Sequence, residues 1–205
     1  MSAVADTSKK STHDAAHEHH VAEEPLAVRN KRNRFGLWIF LFSEIFLFGA
    51  FFASRFYLWG NTRPELDQNI GLITTSILLI SSFFMARAEI AISHNDRKTF
   101  LQSTLITAVL GTLFLIGVVG IEWGGHLRPE DGVYGAVFYG MTGLHAFHVL
   151  TGVILLLIVW NNGRKGSYSA DDHWGVEASA VYWHYVDVVW VFFYPALYLI
   201  GTPVG

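Results

Sequence analysis

The sequence predicts an all-α membrane protein, a bundle of five transmembrane helices with the N-terminus in the cytoplasm and the C-terminus outside. Three observations carry this. Of the 205 residues, 52% are hydrophobic and only 15% charged, against about 25% charged in an average soluble domain. Five stretches reach the roughly 18 apolar residues needed to cross a bilayer, and none shows the polar stripe of a soluble bundle helix. Basic residues gather on alternate connections, as the positive-inside rule requires. The net charge of −3 argues against nucleic acid as a partner.

In chain order, residues 1–34 form a polar, His-rich tail with no apolar core of a signal peptide, read as disordered and cytoplasmic. His13, His17, His19 and His20 within it leave two readings open, a solvated tail that picks up stray zinc or nickel, or a dedicated metal site. Residues 35–205 form the membrane domain. Within span one (35–58) the stretch from Phe35 to Ser54 is interrupted only by Glu44, spans two to four (68–92, 99–121, 133–160) have charge-free cores, and the only charged residue of span five (179–201) is Asp187. Arg29, Lys31, Arg32, Arg34, Arg97, Lys98, Arg164 and Lys165 mark one side, and Arg55, Arg63 and Arg128 the other. Trp38, Trp59, Trp123, Tyr134, Trp160 and Tyr182 flank the spans where interfacial aromatics belong. Short loops leave no room for a second domain, and no internal repeat points to an inverted-repeat transporter.

Ionisable groups inside a membrane are costly and mark candidate functional sites. At 1.5 Å per residue, Glu44 lies roughly 12 Å deep, His184 and Asp187 roughly 9–14 Å and His148 roughly 18 Å, with His145 near the midplane. Three helices thus bring Glu44, His145, His148, His184 and Asp187 to similar depths as a candidate polar cluster. The three-residue spacings put His145 with His148, and His184 with Asp187, on shared faces. Asp187 can orient the His184 imidazole, and a Glu44 without a partner should have a raised pKa. The competing reading is interhelical hydrogen bonding worth about 1 kcal/mol per contact. For Glu44 a protonatable or ligand-contacting role stands beside a structural one. Arg87 and Glu89, and Glu122 with His126, read as boundary residues where long side chains reach water. Trp183 is a further boundary or lipid-contact candidate.

The absence of cysteine removes disulfides, thiolate zinc, iron–sulfur clusters and covalently attached haem. His145 and His148 project from one face and do not clamp one iron between them, and a bis-His haem would need His184 or His94 as well. The sequence therefore assigns no catalytic residue, metal or cofactor to this chain.

The residues around these groups carry a resemblance. WIFLFSEIFLFGAFFA (38–53) resembles the span of cytochrome c oxidase subunit III that holds a buried, carbodiimide-reactive glutamate. TGLHAFHVLTG (142–152) resembles that family's TGFHGLHV-type span, and YWHYVDVVWVFFYPALYLIG (182–201) its C-terminal YWHFVDVVW signature. The resemblance runs in order from Phe35 to the end. It implies that Glu44 is the family's buried glutamate, that His145 and His148 are its paired histidines, and that His184 and Asp187 are its terminal His-x-x-Asp. Longer members have seven spans, two of which form a lipid-filled cleft with the other five; this is a short, five-helix form, so cleft lipid is either absent or held with a neighbouring subunit.

The resemblance further implies a non-redox subunit of a proton-pumping haem-copper oxidase of aerobic respiration, in a bacterial cell membrane. Haem and copper would lie in partner subunits I and II, small subunits and bound phospholipid could accompany them, and this chain would stabilise the catalytic subunit and support proton uptake. Cytochrome c is the expected electron donor. The alternatives are a quinol oxidase subunit III, an accessory subunit of a nitric oxide reductase, and a small ion-coupled transporter.

Overall fold

The computed structural model describes residues 25–125 and 127–204; the four tail histidines and His126 lie outside the described residues. Five helices make the fold: α1 (Leu26–Trp59), α2 (Gln68–Ser93), α3 (Arg97–Leu115), α4 (Gly132–Lys165) and α5 (Trp174–Tyr194). α3 runs on through a π-helix, Ile116–Ile121, and a 3-10 turn, Glu122–Gly124; α5 continues as a second π-helix, Pro195–Leu199.

Four helical segments are long and apolar enough to cross a membrane, with α3 taken together with its extension. α5 is not among them, because Trp, Tyr, His184 and Asp187 stand where aliphatic residues would raise its hydropathy. Its ends nevertheless lie at opposite ends of the bundle. Before α5, Ala170 N–H donates to Asn95 Oδ1 in the α2–α3 turn (2.8 Å) and Asp172 pairs with Arg29 of α1 (2.9 Å). After α5, β2 (Thr202–Val204) pairs in parallel with β1 (Thr62–Pro64) in the α1–α2 connection.

One boundary differs from the expectation. Helix α1 begins at Leu26, not Phe35, so residues 26–34 are helix rather than tail. The polar run is held by partners distant in sequence: Arg34 pairs with Glu177 at 2.9 Å and lies over the Trp174 ring at 5.8 Å, while Arg29 pairs with Asp172.

The contacts of α1 with the bundle are few. Leu41, Phe48, Arg55 and Trp59 are its buried residues, and with the half-buried Glu44 and Phe51 they follow a three-and-four spacing that makes one narrow seam. The remaining faces display Phe35, Trp38, Phe42 and Phe46.

Small residues let the other helices approach closely, the usual solution where lipid removes the hydrophobic drive for helix association. Ser81, Thr104, Thr107, Ala108 and Gly111 are buried between α2, α3 and their neighbours. Trp183 of α5, fully buried, fills a slot floored by two glycines: a Cβ at Gly111 would lie 2.4 Å from Trp183 Cη2, and one at Gly152 2.9 Å from its Cε3. Trp183 is thus a core residue and not the lipid-contact residue expected, its Nε1 donating to Ser81 Oγ (3.0 Å). Gly111→Val is expected to destabilise the chain, since overpacking of about 1–3 kcal/mol outweighs a helix-propensity gain below about 1 kcal/mol. The readout is a lower temperature at which the detergent-solubilised chain aggregates; an unchanged temperature would mean that the slot is not tight.

At the exposed α2–α3 turn, Asp96 caps α3. The Thr99 hydroxyl and backbone N–H hold its carboxyl below the usual carboxylate range. The cap's contribution is therefore present above that range and is lost as the pH falls through the lowered value.

Candidate functional site

The expected polar cluster divides into separate centres. In the first, Glu44 of α1 meets His148 of α4, with Oε2 and Nε2 3.1 Å apart. Both are largely buried, at 14% and 9% side-chain exposure. Glu44 is thus not the partnerless carboxyl of the sequence reading. His148 Nδ1 lies 2.8 Å from Leu144 O one turn back. A carbonyl can only accept, so Nδ1 carries hydrogen and a neutral ring would have a bare lone pair at Nε2. Two lone pairs do not bond. One proton therefore lies between Nε2 and Oε2, on imidazolium or on carboxylic acid, and the pair as a whole is neutral.

Around this pair, Tyr182 of α5 donates to His148 O (3.1 Å) and its hydroxyl lies 2.7 Å from Thr151 Oγ1. Tyr182 is thereby 7% exposed and works as interhelical glue rather than as an interfacial anchor. Glu44, His148, Thr151 and Tyr182 face a groove of about 790 Å³ between α1, α4 and α5. On the other side of α1, two grooves of about 720 and 390 Å³ share Ile45, Tyr185 and Val188.

In the second centre, Ser82 of α2 binds His184 of α5, with Oγ and Nδ1 2.6 Å apart. Asp187, 4% exposed, lies against Ser82 without reaching hydrogen-bond geometry. The imidazole is therefore oriented by a hydroxyl from another helix and not by the carboxylate one turn away.

His145 stands apart from both. It is fully buried, stacked on Trp190 with centroids 4.7 Å apart at 27°, and edged by Phe114 at 5.6 Å. Neither ring nitrogen has a hydrogen-bond partner. It and His148 both edge the Phe48 ring, at 6.5 and 4.8 Å. Among the described residues no three His, Asp or Glu side chains converge as a metal site would need, and His94 is exposed with its Nδ1 at 2.9 Å from Ile90 O.

Of the boundary residues, Arg87 is exposed and Glu89 half-buried at the same end of the bundle as Glu177 and His173. Glu122 is half-buried at the far end of the α3 extension, where it accepts from the Tyr198 hydroxyl. Arg55, read as marking the outer side, is fully buried. Its guanidinium donates to Ala196 O (2.6 Å), Gly60 O (3.0 Å) and Ile200 O, and so ties α1 to the C-terminal π-helix. An arginine four residues before the Trp59 that ends a long apolar helix was the signal for this, since a charge there has to find carbonyls or an acid. Ser82 gave no such signal, because a serine in an apolar span more often bonds its own helix.

This architecture defines a class: a helical membrane protein in which Glu44 with His148, and His184 with Ser82, are engaged in separate pairs between helices. The sequence profile of the family described as cytochrome c oxidase subunit III matches residues 3–202. The chain is 36% identical over 174 residues to cytochrome c oxidase subunit 3 of Thermostichus vulcanus, covering 80% of this chain and 86% of that one. It is 32% identical over 188 residues to the subunit 3 of Ceratotherium simum (85% and 72%), and 32% over 182 residues to that of Bos taurus (82% and 70%). The chain therefore belongs to the cytochrome c oxidase subunit III family, and with it to the haem-copper oxidases of aerobic respiration, which couple electron transfer to proton translocation.

Proposed function

We propose that this chain is the non-redox subunit III of a bacterial-membrane oxidase that passes electrons from cytochrome c to O2, with haem and copper in partner subunits I and II. Its work is to stabilise the catalytic subunit and to support proton uptake, and phospholipid chains occupy the grooves beside α1. The observation that carries this is the Glu44–His148 pair. It holds one proton within the membrane and opens onto a groove that reaches the lipid-facing side of α1.

The distribution of charge supports an N-terminus in the cytoplasm. Arg29, Lys31, Arg32, Arg34, Arg87, Arg97, Lys98, Arg164 and Lys165 stand at the bundle end that holds the start of α1. Arg55, Arg63 and Arg128 stand at the other, and of these Arg55 and Arg63 are buried. Positive charge is retained on the cytoplasmic side.

Gentle purification of the complex from its native membrane tests the reading. The expected result is a co-purified complex with haem bands in its reduced-minus-oxidised spectrum and O2 uptake driven by reduced cytochrome c. Uptake driven by quinol alone would replace the donor and make this a quinol oxidase subunit. A colourless chain that purifies alone would overturn the assignment of partners.

A further inference from the structure

The end of the bundle remote from Glu44 and Asp187 contains a further, partly buried carboxyl, that of Glu122. In the π-helix Ile116–Ile121 the backbone N–H of Glu122 reaches back to Gly117 O and Val118 O. The widened turn sets Glu122 over these two buried residues. Tyr198, fully buried on the other π-helix, donates its hydroxyl to Glu122 Oε1. The Tyr198 ring rests on α2 at Gly71, where a Cβ would lie 2.8 Å from Tyr198 Cε1, and it stacks on Tyr194 at 5.3 Å. Gln68 Nε2 donates to Tyr198 O (3.2 Å). Three helix ends thus meet around Tyr198.

What the carboxyl lacks decides its state. Its second oxygen, Oε2, is buried with no hydrogen-bond partner, and no Lys, Arg or His among the described residues forms an ion pair with it. Arg55, which grips the same π-helix, has its guanidinium engaged by carbonyls. From α2, the nearby charged group is Asp67, an acid already bonded to the N–H groups of Asn69 and Ile70, whose field opposes a negative Glu122. From the C-terminal segment Tyr198 donates to it, with Tyr194 stacked behind the Tyr198 ring. A carboxylate here would be a largely buried charge with one donor and no counterion among the described residues, which is far costlier than a neutral acid.

We propose that Glu122 is a second proton-holding site of this chain, a neutral carboxylic acid hydrogen bonded by Tyr198 at the C-terminal end of the bundle. It is independent of the Glu44–His148 pair, and its ligand is a proton shared with whatever small acceptor reaches Oε2. Both π-helices meet at this carboxyl, so removal of its proton would act on the C-terminal segment directly.

Infrared spectra of the intact complex at neutral pH test this. Glu122→Gln is expected to remove one protonated-carboxyl C=O band that is sensitive to D2O, and Tyr198→Phe to keep that band but move it to higher frequency, because the carbonyl loses its donor. Removal of a carboxylate band instead would overturn the proposal. Failure of Glu122→Gln to assemble would also count against it, since glutamine reproduces the shape of a neutral acid. In that case Tyr198→Phe is decisive by itself: a carboxyl band that does not move refutes the assignment.

Discussion

Glu44→Ala is expected to remove carbodiimide labelling from α1 and to loosen that helix, while leaving the haem spectrum of the complex unchanged. Carbodiimides react with protonated carboxyls in apolar surroundings, and the Glu44–His148 contact keeps a proton on that carboxyl or on the ring nitrogen 3.1 Å from it. Truncation leaves His148 Nε2 without its partner. Breaking a fully buried pair costs about 3–5 kcal/mol; the residual exposure of both groups puts this one at the lower end, about 3 kcal/mol. Glu44→Gln separates the two effects. Its amide can donate to the bare Nε2 and preserve packing, so the chain should stay assembled while labelling of α1 is lost. Loss of haem from an assembled Glu44→Ala complex would contradict this.

Arg55→Ala should have the largest effect on stability. It strips donors from Gly60 O, Ala196 O and Ile200 O at once, and hydrogen bonds from a charged group are worth about 1.5–3 kcal/mol each. Even with strong non-additivity the loss is about 3 kcal/mol or more. The expected readout is protease cleavage after Tyr194 and loss of the chain from the solubilised complex at a much lower temperature. Arg55→Lys should rescue only part of this, because an ammonium cannot span carbonyls that a planar guanidinium reaches together. Wild-type protease resistance in Arg55→Ala would show that the C-terminal π-helix is held by packing alone.

Much of this molecule is legible in its sequence. Runs without charge give the five helices, and the spacing of Glu44 from the ends of α1 gives its depth. What the sequence conceals is pairing between helices. Depth places Glu44, His148, His184 and Asp187 in one layer, but rotation of each helix decides who meets whom. His148 turns to α1, His184 to Ser82 on α2, and His145 into the ring of Trp190. The two π-helices are equally hidden, because a widened turn changes the phase of Glu122 and Tyr198 without an obvious mark in composition. The helical start at Leu26 depends on acids nearly 150 positions away in the chain, which local polarity does not reveal.

The central claim is that this chain supports an oxidase without carrying its redox centres. The most direct measurement is to strip the chain from the purified complex with detergent and compare haem content, initial O2 consumption and proton uptake before and after. The account predicts unchanged haem per catalytic subunit and retained initial O2 consumption, with slower proton uptake and a shorter active lifetime, and recovery of both when the chain is added back. Haem departing with the stripped chain would contradict it.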